Sequence, residues 1–125
     1  MKRLVLESLL LLLYLDLLMV CSDFKALHSR VKKQAVRPPS RERPRSDKEL
    51  CHAVDLACVF YCKQVFCLQR SAATTIILRR HGWNAELVIG AEMLTFRSHA
   101  WVEVEGTVVN DRPYMQDMYR VLERC

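Results

Sequence analysis

A chain of 125 residues has room for one domain, and its 51% hydrophobic residues are enough to form a core. The formal net charge of +5 would suit a nucleic-acid-binding protein, but the charge is unevenly distributed. Residues 30–48 carry eight Lys or Arg against two acidic residues, whereas the rest carries eleven basic and twelve acidic residues. No aromatic residue lies within the basic segment to stack on bases, so we expect no nucleic-acid partner.

The cysteines of the chain lie at positions 21, 51, 58, 62, 67 and 125. Six would allow three disulfides in a secreted protein, but long periodic segments and few turn residues are not typical of a disulfide scaffold. Cys51, Cys58 and Cys62 recur on one helix face, where reduced cysteine behaves as a small buried hydrophobic residue. The sequence contains no C-x-x-C or H-x-x-x-H pair, so we expect no metal site and a reducing cytoplasm.

Residues 1–29 are predicted to form a leucine-rich N-terminal helix that continues through Leu27. A Lys-Arg pair precedes the apolar run, as in a secretory signal or a short membrane span. Glu7 and Asp16 interrupt the run, however, and a carboxylate near mid-bilayer costs about 2.5–3.5 kcal/mol. No small-x-small cleavage site follows. We therefore favour a core or interaction helix, with membrane association through residues 1–21 as the alternative.

Residues 30–46 are predicted to be a basic linker. The sequence R-P-P-S-R-E-R-P-R at 37–45 contains three prolines, which cannot lie inside a helix. A solvated connector is the simplest interpretation. A docking strip for an acidic partner is the alternative.

Two helices are predicted at the start of the third segment, residues 47–125. The sequence S-D-K-E at 46–49 is a capping box ahead of an apolar run with helical spacing, so it predicts the start of the first. The second is predicted from Cys67 to about Arg80. It has an apolar body, positive groups near its C-terminal end and Gly82 as a stop signal.

Strands follow these helices. Alternating apolar and polar residues predict strands at 84–91 and 98–105, and a Glu-Gly pair predicts a tight hairpin turn into residues 107–109. Residues 114–125 allow a short amphipathic helix. The expected fold class is α+β, with helices followed by a small antiparallel sheet packed on the Cys67 helix.

Cys67 is the candidate nucleophile because of its position at a helix start. The positive end of the peptide dipoles there favours a thiolate. The alternative is a structural buried cysteine, as expected for Cys58. Gln64, three residues earlier, is a candidate donor to an oxyanion, although a solvated helix position suits it better. Backbone N–H groups of the first turn would do the same without a side chain.

His99 is the candidate base, and Asp111 the group that orients it. In S-H-A-W-V-E-V-E the period of two puts Ala100 on the aliphatic face and His99 on the opposite one. Asp111 follows the returning hairpin strand, so its carboxylate is expected beside the imidazole. An exposed strand histidine is the alternative for His99. The order Cys-His-Asp is consistent with cysteine hydrolases.

Several short motifs follow one another in this part of the chain: C-L-Q-R-S, R-R-H-G, A-E-L-V-I-G, H-A-W-V-E-V-E-G and N-D. Their order resembles the leader peptidases of lasso peptide biosynthesis, which are members of the transglutaminase-like cysteine protease superfamily. The resemblance is dense from Cys67 to Asp111 and looser over the leucine-rich start.

This resemblance implies a papain/transglutaminase-like fold in which Cys67, His99 and Asp111 form the catalytic triad, without a cofactor. It implies that the protein removes the leader from a ribosomally made precursor peptide (RiPP) in the cytoplasm, a step of antibiotic biosynthesis. A separate leader-recognition protein and an asparagine-synthetase-like lasso cyclase, which closes the macrolactam, are the implied partners. The alternatives are another acyl transfer on the same fold, transglutamination or deamidation, and a non-enzymatic binding module.

Overall fold

The chain forms helices followed by a sheet, as a computed structural model describes for residues 2–36, 46–61, 65–92, 97–111 and 115–125. The helices and strands, in chain order, are α1 (Lys2–Cys21), α2 (Phe24–Lys33), α3 (Asp47–Phe60), α4 (Cys67–Arg80), β1 (Ala85–Glu92), β2 (Arg97–Val104), β3 (Thr107–Val108), α5 (Met115–Met118) and β4 (Arg120–Arg124). The predicted α+β class is confirmed. The prolines of the predicted linker, Cys62 and Gln64 lie outside the described residues, and the division at 30–46 stays a prediction.

The start of α3 and both ends of α4 agree with the sequence signals. The hydroxyl oxygen of Ser46 accepts a hydrogen bond from the Glu49 amide at 3.1 Å, which is one half of the predicted capping box. Helix α4 begins at Cys67 and ends at Arg80. Gly82 follows with a φ of 90°, a left-handed conformation that glycine adopts at little cost.

The predicted continuation of the first helix through Leu27 is wrong. Helix α1 ends at Cys21, and α2 begins two residues later at Phe24. The carboxylate of Asp23 accepts a hydrogen bond from the Ala26 amide at 3.2 Å and so caps a new helix. A capping residue inside the apolar pattern therefore starts a second helix instead of extending the first.

The sheet is antiparallel and has the strand order β3-β2-β1-β4. Strands β2 and β3 form the predicted hairpin. Both turn residues have positive φ, 51° at Glu105 and 82° at Gly106, which is the geometry of a type I′ turn. The hairpin returns the chain toward the beginning of β2, as the sequence predicted for the segment that carries Asp111.

The C-terminal segment differs from the prediction. Instead of one amphipathic helix it contains the single turn α5 and then β4, which pairs with β1. The backbone groups of Leu87 and Cys125 exchange two hydrogen bonds, of 2.8 and 3.0 Å. This pairing covers the edge of β1 and makes the C-terminal residues part of the sheet.

The hydrophobic core lies on one side of the sheet, and a smaller cluster covers the other. Helices α1, α3 and α4 pack with Leu87, Ala100 and Val102 to form the core. On the opposite face, Trp101 packs with a smaller group of residues from β1, β3, α5 and β4. The predicted aliphatic face is therefore the core face, and the face that carries His99 is covered as well.

Helix α1 has one face in the core and one face exposed. Its acidic residues have partners within the protein: Arg80 donates to Glu7 at 3.1 Å, and the Tyr61 hydroxyl donates to Asp16 at 3.2 Å. By length and composition the helix is apolar enough to cross a membrane, and 28% of its apolar 18-residue window is buried. Its exposed apolar residues are Leu6, Leu10, Leu13, Tyr14, Leu17 and Val20.

Candidate active site

Cys67 is the first residue of α4, as the sequence predicted. The preceding residue, Phe66, takes the N-cap position with extended backbone and provides no side-chain hydrogen bond. The first-turn amides of a helix have no acceptor within the helix itself, so α4 begins with N–H groups suited to a negative charge. The thiol is partly exposed beside this helix end.

His99 and Asp111 are in direct contact. Nε2 of the imidazole lies 2.6 Å from Oδ2 of the carboxylate. Both side chains are largely shielded from solvent, with 24% and 16% of their surfaces exposed. Because Nε2 binds the carboxylate, Nδ1 is the ring nitrogen left to exchange a proton with another group.

Cys67 and His99 line the same cavity. Its volume is about 160 Å³, and its other lining residues are Leu68, Ile89, Ser98 and Ala100. Its walls come from α4 and from the first two strands, so it lies where the start of α4 meets the start of β2. The three predicted site residues are thus brought to one place: two share a cavity, and the third binds the histidine.

Two aromatic rings support the imidazole. The ring of Tyr119 is stacked on His99 with 5.3 Å between centroids and an interplanar angle of 24°, and Trp101 lies 6.2 Å away at 27°. Gly90, which is directly opposite His99 in the sheet, leaves the space that the two aromatic residues occupy. No local sequence signal predicts Tyr119 as part of the site, because its contact with His99 depends on the long-range pairing of β4.

A buried carboxylate binds the indole of Trp101. Glu103 is 1% exposed and accepts hydrogen bonds from the indole N–H of Trp101 at 2.8 Å and from Arg124 at 2.7 Å. The hydrogen bond from Arg124 to Glu103 is the main cause that raises the pKa of Arg124. A buried acid is retained in folded proteins when charged and polar partners satisfy it, as they do here.

A set of polar side chains joins the start of α4 to the loop that carries Asp111. Arg70 donates to the backbone oxygen of Asn110 at 3.3 Å and lies 4.0 Å from the Asp111 carboxylate. The Asn110 side chain contacts Ser71 and the backbone of Val102. Arg70, Ser71 and Asn110 belong to the C-L-Q-R-S and N-D motifs, but a contact between segments so far apart in the chain is not predictable from the motifs alone.

The other described cysteines are free thiols as well. Burial, with Asp55 and Asp47 as weaker causes, raises the pKa of Cys51 to about 12. Burial also raises the pKa of Cys58 and that of Cys125. A high pKa disfavours the thiolate, which is the reactive form, so these three are poor nucleophiles at neutral pH.

Comparison with known proteins identifies a superfamily for most of the chain. The family model of the transglutaminase-like superfamily matches residues 11–124. The chain is also similar to the microcin J25-processing protein McjB of Escherichia coli, with 46% identity over 56 residues. That stretch is 45% of this chain and 27% of McjB, so the chain covers only about a quarter of that relative. No solved structure matches the chain significantly.

Proposed function

The chain belongs to the transglutaminase-like superfamily, and from this membership we propose that it is a cysteine peptidase that cleaves the leader from a ribosomally made lasso precursor peptide. The observation that carries the proposal is the grouping of Cys67, His99 and Asp111. The similarity to a microcin-processing protein supports a peptide substrate.

The proposed roles follow from the contacts. Cys67 is the nucleophile, His99 is the general acid and base, and Asp111 orients the imidazole through Nε2. The N–H groups at the start of α4 are the proposed donors to the oxyanion of the tetrahedral intermediate. No metal or organic cofactor enters this mechanism.

The proposed reaction has two acyl-transfer steps. The Cys67 thiolate attacks the carbonyl carbon at the leader–core junction, a C–S bond forms, the C–N bond breaks, and His99 donates a proton to the departing amine. In the second step His99 takes a proton from water, which attacks the thioester. The leader leaves with a free carboxylate, and Cys67 is regenerated.

The proposed setting is the cytoplasm, in a pathway with a separate leader-recognition protein and an asparagine-synthetase-like cyclase. Free thiols in the described part of the chain suit a reducing compartment. The exposed apolar face of α1 leaves room for contact with a partner or with a membrane surface.

The test is a reconstituted mixture of the protein, a lasso precursor and its leader-recognition protein, followed by mass spectrometry. The wild-type protein is expected to release free leader and core, and Cys67→Ala is expected to release neither. Cys58→Ala is the matched control, because it removes a half-buried thiol from α3 that lies outside the cavity of Cys67 and His99. Leader removal by Cys67→Ala would rule out the proposed nucleophile. An intact precursor about one mass unit heavier would instead indicate deamidation.

A further inference from the structure

Side chains complete the hydrogen bonding of β2 at the point where its partner strand, β3, ends. Strand β3 stops at Val108, and the next backbone hydrogen bond runs from the Val109 amide to the Val102 carbonyl at 3.0 Å. The amide of Val102 then donates to Oδ1 of Asn110 at 2.7 Å. Val102 is buried, so this carboxamide oxygen replaces the backbone acceptor that a longer β3 would have supplied.

Ser71 on α4 forms a further hydrogen bond to the same edge of β2. Its buried hydroxyl donates to the Ala100 carbonyl at 3.0 Å and accepts from Nδ2 of Asn110, also at 3.0 Å. The Asn110 carboxamide therefore accepts from β2 through its oxygen and donates to α4 through its nitrogen. An ionised aspartate lacks the donor and a leucine lacks both groups, so neither side chain makes the same pair of bonds.

Each partner in this network is close to a residue of the site. Asn110 directly precedes Asp111, Ala100 directly follows His99, and Ser71 lies one turn after Cys67 on the same helix. The backbone of Asn110 is also held by Arg70, whose guanidinium donates a hydrogen bond to the Asn110 carbonyl at 3.3 Å. The side chain and the backbone of Asn110 are thus both fixed where the chain turns from β3 toward His99.

We propose that Asn110 is a positioning residue that holds Asp111 against His99, with Ser71 as its anchor on α4. The inference rests on the proposed function, because Asn110 can affect catalysis in this way only if the Asp111–His99 pair activates Cys67. Asn110 itself touches neither the thiol nor the imidazole ring in the proposed mechanism. Its effect is on the geometry of the pair, to which proton transfer is sensitive.

The experiment measures the rate of Cys67 alkylation by iodoacetamide at neutral pH in the full chain, with the modified cysteine identified by mass spectrometry. Asn110→Ala and Ser71→Ala are each expected to slow this alkylation by about tenfold or more, because a misplaced base no longer favours the thiolate. Thr75→Val is the matched control. It removes another buried hydroxyl of α4, which donates to the backbone oxygen of Ser71 within the helix, and is expected to change the rate by less than about twofold.

A double-mutant cycle separates positioning from a general loss of structure. If Asn110 acts by placing Asp111, Asn110→Ala is expected to slow alkylation by less than about twofold further in an Asp111→Asn background. The same slowing in both backgrounds would overturn the proposal, and so would unchanged alkylation in the single variant. Should Asn110→Ala not fold, Ser71→Ala decides in its place, since it removes the same bridge from the other side.

The readout needs no peptide, which keeps this inference separable from the proposed substrate. If Cys67 is not the fastest-reacting thiol of the wild-type protein, the proposed peptidase function and the positioning role of Asn110 are both wrong. If Cys67 is fast and depends on Asn110 while a lasso precursor stays uncut, the positioning role stands and the substrate class is wrong. If the precursor is cut but Cys67 reacts equally fast without Asn110, only the positioning role falls.

Discussion

Nε2 of His99 lies 2.6 Å from Oδ2 of Asp111, although the two residues are twelve positions apart in the chain. The type I′ hairpin explains this proximity, because it returns the chain beside the start of β2. Such a contact fixes the orientation of the imidazole. Asp111→Asn is therefore expected to lower kcat for leader removal by about 10²- to 10⁴-fold while KM changes little.

Asp55→Asn is the matched control for that prediction. Asp55 lies on α3, 3.9 Å from Arg70, which also faces Asp111, and its carboxylate is half exposed. Its neutralisation is expected to leave kcat within about threefold of the wild-type value. Equal losses in the two variants would show that charge near Arg70 matters rather than the contact with the imidazole.

Much of the site could be predicted because its signals are local. A capping box marks the start of α3, glycine marks the end of α4, and a Glu-Gly turn pairs β2 with β3. The last two signals predicted where the Cys67 helix ends and that the chain returns with Asp111 toward the start of β2. Each of them acts within a few residues of the chain, which is why a single sequence reveals them.

The supporting parts of the site depend on contacts between distant segments. The sequence R-V-L-E-R has too few apolar residues to indicate a strand, and it becomes β4 because β1 has a free edge to pair with. That pairing brings Tyr119 onto His99 and Arg124 onto Glu103. No local periodicity encodes either contact, so the sequence predicted a helix there instead.

Gly90 is predicted to be essential for the support of His99. A methyl group at this position would lie 2.7 Å from Cη2 of Trp101 and 2.9 Å from Cβ of Tyr119, closer than packed carbon atoms approach. Gly90→Ala is therefore expected to lower the free energy of unfolding by about 1–3 kcal/mol and to slow leader removal, because both aromatic residues must move. Chemical denaturation and a cleavage assay measure the two effects.

Gly106→Ala provides the contrast to that substitution. Position 106 has open space around it but a φ of 82°, so alanine there is strained without touching the site. A loss of about 1 kcal/mol in unfolding free energy is expected, with cleavage unchanged at temperatures where the protein stays folded. Full activity in Gly90→Ala would contradict the proposed support of the imidazole.

The two faces of α1 are predicted to differ sharply in their contribution to stability. Leu15 is 0% exposed within the core, whereas Leu17 is 52% exposed on the outer face. Leu15→Ala is expected to lower the free energy of unfolding by about 2–5 kcal/mol, through lost burial and a cavity. Leu17→Ala is expected to cost less than about 1 kcal/mol. Denaturant titration of the purified protein measures both, and similar losses would mean that the outer face is also covered.

Stability at alkaline pH is predicted to depend on Cys51. Burial raises the pKa of its thiol from 9.0 to about 12, so the folded protein holds this proton more tightly than the unfolded chain does. The contribution is complete below pH 9 and is lost as the pH rises toward 12, with a slope of up to about 1.4 kcal/mol per pH unit. The substitution Cys51→Ala loses packing at every pH. Because the variant lacks the thiol, its unfolding free energy no longer has this dependence on pH. The difference in unfolding free energy between wild type and Cys51→Ala is therefore expected to shrink between pH 9 and 11. A constant difference would show that the thiol does not stay protonated in the folded state.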